Sequence, residues 1–361
     1  MVVFRSALLV TGMALVGISA ADTFRIATWN ISNYNGGRGS DIQNAVYGSF
    51  QGRSFAPDAI FAQEMLSEAA ALQFVSFLNT ASGSPGDWVY FDNNVGVGDH
   101  ENAFFYRSSR VINASSTLVA NGNTTNNPRD IYRYDFRIAG NADTSFISVY
   151  NSHMKSGTTT DDQNRRQFEA NAIRNNANAL ATGFLPVALG DFNMRTSTEQ
   201  AYQTMVASTG NNRGRFFDPI NASGNWYENS AARFLHTQDP SGAGGMDDRF
   251  DQILMSDAFA DGAGTEYLGA FGTTYSTSTW NDAAHSYRVW GNDGSSFDTG
   301  LTTTGNQMVG ASIASSLINV STTAGGHLPV FADFTYTAVP EPFSMGALAL
   351  GIVALARRRR R

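Results

Sequence analysis

Eight short runs rich in apolar and β-branched residues punctuate the chain: FRIATWNI (24–31), DAIFAQE (58–64), NAFFYR (102–107), YRYDFRI (132–138), SFISVYNSH (145–153), LPVALGDFN (185–193), RFDQILMS (249–256) and LPVFADFTY (328–336). Each has the length of a strand, and the Gly, Ser, Asn and Asp clusters between them are turn formers. Two stretches carry a helical period instead. The clearer one, 162–181, sets Phe168, Ala172, Ile173, Ala177 and Leu180 near one stripe, and a second follows Glu64 over residues 66–78. Strands outnumber helices, so the pattern predicts a mixed α/β sandwich rather than a doubly wound parallel sheet. Residues 262–325 are dense in Gly, Ser, Thr and Asn, which predicts a surface excursion that shapes substrate access.

Composition adds three constraints. Of the 361 residues 42% are hydrophobic, enough for a sizeable core, and no internal repeat or Pro-rich linker divides residues 22–338, which read as one domain. Cysteine is absent, so any metal is held by oxygen or imidazole. Setting aside Arg5 and the five terminal arginines leaves 18 basic against 31 acidic residues, with Lys155 the only lysine. Such a balance excludes a non-specific nucleic-acid binder that relies on a basic stripe, but not an enzyme that meets a phosphodiester transiently.

The two ends have the pattern of address signals. Residues 1–21 combine Arg5, an apolar run from Ala7 to Ile18 and the small residues Ser19, Ala20 and Ala21, the layout of a signal peptide. The apolar run is shorter than the ~20 residues of a membrane span. Residues 339–361 join VPEP, an apolar stretch and Arg357 to Arg361. This order resembles the PEP-CTERM sorting tail. It implies export to the cell surface or extracellular matrix of a Gram-negative bacterium, a sorting protease or transpeptidase as partner, and contact with an exopolysaccharide matrix.

The apolar runs share a habit: each of several ends in, or is flanked by, a residue able to ligate a cation or move a proton. Asn30 follows ATW, Glu64 follows IFAQ, His153 follows VYNS, Asp191 and Asn193 follow VALG, Asp251 lies in DRFDQIL and His327 precedes LPVF. Side chains projected from several strand ends can converge on one pocket. A hard cation such as Mg²⁺ takes one or two carboxylates and keeps its waters, which Glu64 with Asn30 could supply. In GDFN the carboxylate of Asp191 can accept a proton from water while the Asn193 amide orients that water. Histidines can stabilise phosphate oxygens or protonate a leaving group, and Asp251 can fix an imidazole tautomer. Together these residues describe metal-assisted phosphoester hydrolysis.

ATWNI, FAQE, YNSHMKSG, ALGDFNMR, DDRFDQILMS and GGHLPVFADF, in that order, resemble the successive motifs of the endonuclease/exonuclease/phosphatase superfamily, from about Phe24 to Tyr336. The resemblance implies an α/β four-layer sandwich, with two face-to-face mixed β-sheets flanked by helices, as in DNase I-like proteins. By position it assigns Asn30 and Glu64 to the metal, with Glu64 the more direct ligand. It assigns His153 to phosphate binding and leaving-group protonation, Asp191 and Asn193 to water activation, and Asp251 to pairing with His327. Tyr106, Arg107 and Arg133 match weaker family positions. The implied cofactor is Mg²⁺, with Ca²⁺ or Mn²⁺ as alternatives, and the implied partner is nucleic acid or another phosphodiester bound by a monomer. A phospholipid or sphingomyelin phosphodiesterase and a catalytically weak surface or matrix binding protein are the competing readings. One departure stands out, because the family places Ser-Asp-His before Leu-Pro and this chain has Gly325, Gly326 and His327. The acid nearest in sequence is Asp333, and restoring an aspartate at 326 is expected to tighten metal dependence and raise the rate.

Overall fold

The computed structural model describes residues 21–97, 100–122, 129–321 and 325–339. The proposed signal peptide, apart from Ala21, and the sorting tail beyond Val339 lie outside the described residues.

Two mixed sheets stack face to face. The first contains β1 (Ala21–Tyr34), β2 (Ala59–Met65), β3 (Trp88–Tyr90) and β4 (Ala103–Arg107), together with β10 (Glu266–Tyr267), β11 (Arg288–Val289) and β12 (Val330–Thr337). Its strand order is β10-β12-β1-β2-β4-β3, with β11 also pairing to β12. The second runs β5 (Val111–Ala120), β6 (Ile131–Ile138), β7 (Phe146–His153), β8 (Phe184–Asp191) and β9 (Asp251–Met255). β1 and β2 are parallel, as are β7 and β8, while every other pairing is antiparallel. All eight apolar runs of the sequence become strands. β5 is absent from the apolar runs because Asn113, Ser115, Ser116 and Thr117 interrupt its apolar residues, and of its ten residues only Val111 is buried.

The core lies between the sheets. Phe61 and Phe104 stack at 4.5 Å between ring centroids, and Phe136, Tyr134, Ile147, Val187 and Ile253 of the second sheet close over them. Burying each such side chain contributes about 1.5–3 kcal/mol. Helices α1 (Gly39–Tyr47), α2 (Glu68–Thr80) and α5 (Gly310–Val320) belong to the same core cluster as the first sheet. α3 (Thr160–Asn178) and α4 (Gln200–Val206) form a second cluster with the outward-facing Tyr150, Ala188 and Leu254 of the other sheet. Four layers result, as the resemblance implies.

Two expectations change. On α3 the expected stripe residue Phe168 is exposed, and the buried face carries Arg166, Glu169, Ala170, Ile173, Arg174 and Ala177. Three of those six are ionisable, so an apolar count misplaces the stripe. Residues 262–325 are not a surface excursion. Tyr287, Val289, Trp290, Val309 and Leu317 are buried, and β10 and β11 cover the outer edge of β12. Covering that edge removes an exposed template for strand pairing. The three histidines outside the motifs, His100, His236 and His285, are buried packing residues.

Candidate active site

Register brings the polar strand ends together. In the second sheet His153 pairs with Asp191 across β7 and β8, and Asp191 pairs with Asp251 across β8 and β9. Laterally paired residues point to the same face, so these three side chains form one row. In the first sheet Asn30 ends the regular pairing of β1 with β2, one residue before Glu64. The two sheets are joined beneath this row by Gln63, whose Nε2 donates to Asn151 Oδ1 at 2.7 Å and to Thr28 Oγ1 at 2.9 Å. Asn151 Nδ2 donates back to the Ala62 carbonyl at 3.1 Å.

Local backbone geometry aims two of these side chains. Glu64 and Asn193 have φ of 59° and 52°, in the left-handed region that costs a non-glycine residue about 1–3 kcal/mol. The strain at Glu64 is offset by two hydrogen bonds to its carboxylate: Asn33 N–H donates to Oε2 at 2.6 Å and Asn30 Nδ2 to Oε1 at 3.0 Å. Gly190, at φ 134°, lets β8 pass β7 so closely that a Cβ would lie 1.9 Å from the Ser152 carbonyl oxygen. Any larger residue there would push the Asp191 row apart.

Asp191 Oδ2 is the focus. Asn30 Nδ2 donates to it at 3.1 Å, His153 Nε2 lies 3.5 Å away and His327 Nε2 lies 3.6 Å away. Asn193 N–H donates to the other oxygen, Oδ1, at 3.0 Å, while its Nδ2 donates to the Met154 carbonyl. His327 Nδ1 meets Asp251 Oδ2 at 2.5 Å, and Asp251 N–H donates to Thr237 Oγ1. All seven residues singled out in the sequence therefore gather at one end of the paired sheets. Six are nearly or fully buried, and Glu64 is the more open one, with 15% of its side chain exposed.

Burial and neighbouring charge set the protonation states. Burial pushes Asp191 up to about 6, partly countered by His327. For His327 burial works toward the neutral form, but the carboxylates of Asp251 and Asp191 outweigh it and raise the imidazole to about 10. Burial, with Arg129 and His327 nearby, holds His153 well below the usual histidine range. One histidine is thus a cation and the other neutral at neutral pH.

The donor set suits a hard cation with few protein ligands. Glu64 offers oxygen at the mouth beside Asp191, and among the described residues no cluster of three or more His, Asp or Glu side chains is built to ligate a metal. One or two carboxylates match the Mg²⁺ pattern and not a closed zinc site. Asn30, expected to share the cation, is oriented differently. Ser32 N–H donates to its Oδ1 at 3.0 Å, which fixes the amide with nitrogen toward the two carboxylates. Its place is that of a donor organising Glu64 and Asp191.

Other positions depart from expectation. Tyr106 pairs with Ala59, at the end of β2 away from Glu64, and Arg107 forms ion pairs with Asp58 and Asp87. Arg133 is held by Asp135 and Asn176. None of the three reaches the cluster. Lys155 pairs with Asp162 at 3.0 Å. Residues that the sequence did not reveal include Gln63, Asn151 and Thr237. Glu101, 4.0 Å from His153 Nδ1, and Asp248, pushed to about 7 by burial and Asp247, were also missed. The DDRFD run held a signal for Asp248, whereas Glu101 had only its place one residue ahead of an apolar strand.

Gly326 is also redefined. A Cβ there would lie 2.6 Å from Ser321 Cβ and 2.9 Å from both Ser321 Cα and Ser32 Oγ. A carboxylate arrives beside it from another segment, since Asp239 Oδ1 accepts Gly325 N–H at 2.7 Å and Asp239 N–H donates to the Gly326 carbonyl at 2.8 Å. Gly326→Asp is therefore expected to lower stability by about 1–3 kcal/mol through overpacking, and to lower activity, the reverse of restoration. Thermal melts and initial rates of the purified variant check this. A variant that is both stable and faster would mean that Ser321 yields.

Behind the His153 strand, α3 grips the following loop. Arg166 Nη1 donates to the Lys155 and Gly157 carbonyls, its Nε pairs with Glu199 at 2.5 Å, and Glu169 Oε2 accepts Lys155 N–H at 3.0 Å. Burial raises Glu169 from 4.5 to about 8, with the Lys155 N–H, Arg129 and Arg166 countering it. Because the folded value lies above the unfolded one, its stability contribution is complete below about pH 4.5 and is lost as pH rises through about 8. Glu169→Gln should match the parent near pH 5 and gain on it by pH 9, by at most about 5 kcal/mol. Urea melts at the two pH values test the trend, and a pH-independent difference would refute it.

Comparison with known proteins comes from structure alone, because no protein-family profile and no curated protein matches the sequence. An endonuclease/exonuclease/phosphatase from Bacteroides vulgatus superposes with a TM-score of 0.51 at 13% identity, covering 87% of this chain and 99% of that one. A family protein from Bacteroides thetaiotaomicron gives 0.45 at 15% identity over 88% and 99% of the two chains. TDP2 from D. rerio, complexed with a single-strand DNA product, gives 0.46 at 14% identity over 86% and 98%. The chain has the DNase I-like fold of the endonuclease/exonuclease/phosphatase proteins, two mixed sheets with flanking helices, a likeness that rests on the first of these matches.

Proposed function

We propose that this chain is an exported phosphodiesterase, assisted by a divalent cation of the Mg²⁺ class and acting on nucleic acid. The observation that carries the reading is the Asp191 carboxylate, buried and ringed by the Asn30 amide and the Nε2 atoms of His153 and His327. Export rests on the pattern of the two end segments.

Burial leaves Asp191 ionised at neutral pH yet more basic than a solvated carboxylate, the state a general base for water requires. Asn193 holds Oδ1 with its backbone N–H, which leaves Oδ2 toward the reacting space. His327, positively charged and fixed by Asp251, turns Nε2–H toward that space, where charge grows on phosphate oxygens and the leaving group. It is the group with a proton to give. His153, neutral, serves as a hydrogen-bond partner for a phosphate oxygen. A cation held by Glu64 would supply Lewis-acid neutralisation of the phosphate. Among the described residues the large exposed hydrophobic side chains include Leu72 on α2, Ile112 and Leu118 on β5 and Phe168 on α3, elements that carry none of the seven candidate site residues.

The test is hydrolysis of plasmid DNA and of bis(p-nitrophenyl) phosphate. Turnover with Mg²⁺ or Mn²⁺ should fall at least about 100-fold on adding EDTA and return with the cation. Turnover unaffected by EDTA would exclude the cation, and undetectable turnover of both substrates with every cation would sink the phosphodiesterase reading.

A further inference from the structure

A second concave site lies at the other end of β1. Its cavity, about 750 Å³, sits between the Arg25 and Asp333 end of the first sheet and residues 268–290. Arg25 is five residues from Asn30, about 16 Å along a strand, and the cavity shares no lining residue with the catalytic cluster. Its volume falls within the ~300–1,000 Å³ of small-molecule sites.

The charges lining it are unequal. Both oxygens of Asp333 accept from Arg25, at 2.6 and 2.9 Å. Asp58 accepts Arg25 N–H at 2.9 Å and pairs with Arg110 at 3.0 Å. Arg53 and Arg288, by contrast, have no carboxylate partner within ion-pair distance among the described residues. Arg53 donates to the Met308 and Gln307 carbonyls and to Gln51, and Arg288 to the carbonyls of His285, Tyr287 and Asp282. Arg53 Nη1 and Arg288 Nε donate to no described residue and are not among the fully buried unpaired atoms, so each keeps some exposure. In an otherwise acidic chain this pocket carries surplus positive charge. His285 adds none, since burial holds its imidazole toward the neutral form.

Beside those cations stands a flat ring. Trp280 is half-buried in the lining, and the Arg53 guanidinium lies over one face of its ring, 5.2 Å from the centroid. An indole next to a guanidinium is a platform on which nucleobases stack, and guanidinium N–H groups take phosphate oxygens.

We propose that this cavity binds a nucleoside phosphate, with the base on Trp280 and the phosphate on Arg53 and Arg288. The ligand is either a free mononucleotide or one nucleotide of a strand. The inference shares no residue or step with the hydrolysis reading and stands or falls separately.

The experiment is calorimetric titration of the full chain carrying Asp191→Asn, in EDTA, so that nothing is turned over. Deoxyadenosine monophosphate should bind at one site, more weakly as salt rises, while deoxyadenosine and inorganic phosphate should each bind at least tenfold less tightly. Arg53→Gln, Arg288→Gln and Trp280→Ala should each weaken the nucleotide at least tenfold. Because the arginines also brace loops, Ala283→Trp is the second line: Ala283 is exposed in the lining, so a Trp there should block the cavity without altering the melting temperature. A hexadeoxyadenylate that binds more tightly than the mononucleotide, and loses that affinity in the same variants, identifies a strand as the source. Equal or weaker binding identifies the free nucleotide. No nucleotide binding, binding undiminished by Ala283→Trp, or phosphate alone binding as tightly would overturn the proposal, whatever the hydrolysis assays give.

Discussion

Asp191→Asn should abolish most phosphodiester hydrolysis, lowering kcat by about 10²–10⁴ while the fold survives. The substitution is nearly isosteric, so packing is unchanged. What changes is the focal atom: an amide cannot accept the proton of an attacking water. It also no longer supplies the negative charge that Asn30 Nδ2 meets at 3.1 Å and His327 Nε2 faces at 3.6 Å. Relief of a buried charge should leave the variant at least as stable as the parent, because a carboxylate held at about 6 by burial disfavours the folded state at neutral pH. Paired rate and melting measurements at pH 7.5 separate the two effects. A variant that keeps a tenth or more of the parental kcat would remove Asp191 from the role of base. Loss of activity accompanied by loss of fold would be a failure of packing.

Asp251→Asn carries the second large effect. Asp251 Oδ2 meets His327 Nδ1 at 2.5 Å in a fully buried site, and its carboxylate is the first of the charges that lift His327 to about 10 against burial. With an amide there, burial prevails and the imidazole moves down toward or below its ordinary value. At neutral pH His327 then loses the proton that it presents to the phosphate and leaving group. The expected cost is about 10²–10⁴ in kcat at pH 8, smaller at pH 5.5, so the alkaline limb of the rate profile shifts to lower pH. A uniform drop across pH would point to misorientation of the ring alone, and an unchanged profile would refute the pairing. His327→Gln should lose comparable activity, with little further loss when combined with Asp251→Asn, as expected of residues acting as one unit.

The catalytic candidates were legible because strand ends announce themselves. Asn30, Glu64, His153, Asp191 and Asn193 each follow an apolar run, and His327 precedes one, so a reader of pattern meets them in order. Gln63 and Asn151 gave no such signal. They sit inside their strands at positions that read as ordinary alternation, and only the stacking of one sheet on the other makes them a buried cross-link. Tyr106 and Arg107 show the opposite error. They stand at the end of an apolar run, but β4 runs antiparallel to β2, which carries them away from Glu64. Phe168 shows a third kind, where hydrophobicity named the wrong face because Arg166 and Glu169 are buried by the hydrogen bonds they make to the 153–157 loop.

By itself the sequence determined eight of the twelve strands, the mixed sandwich and the roster of chemical groups, since period-two burial and turn residues are local properties of the chain. Tertiary structure alone decided which atoms face each other. Register placed His153, Asp191 and Asp251 in one row, and a hydrogen bond from Ser32 turned the Asn30 amide. A neighbouring segment delivered Asp239 to the glycines where a carboxylate was missing, while Ser321 closed the space beside Gly326. Protonation followed the same rule. Whether an imidazole is cationic or neutral depends on the charges within a few ångströms and on the water removed, and His327 and His153, alike as letters, differ because only His327 has Asp251 against its ring.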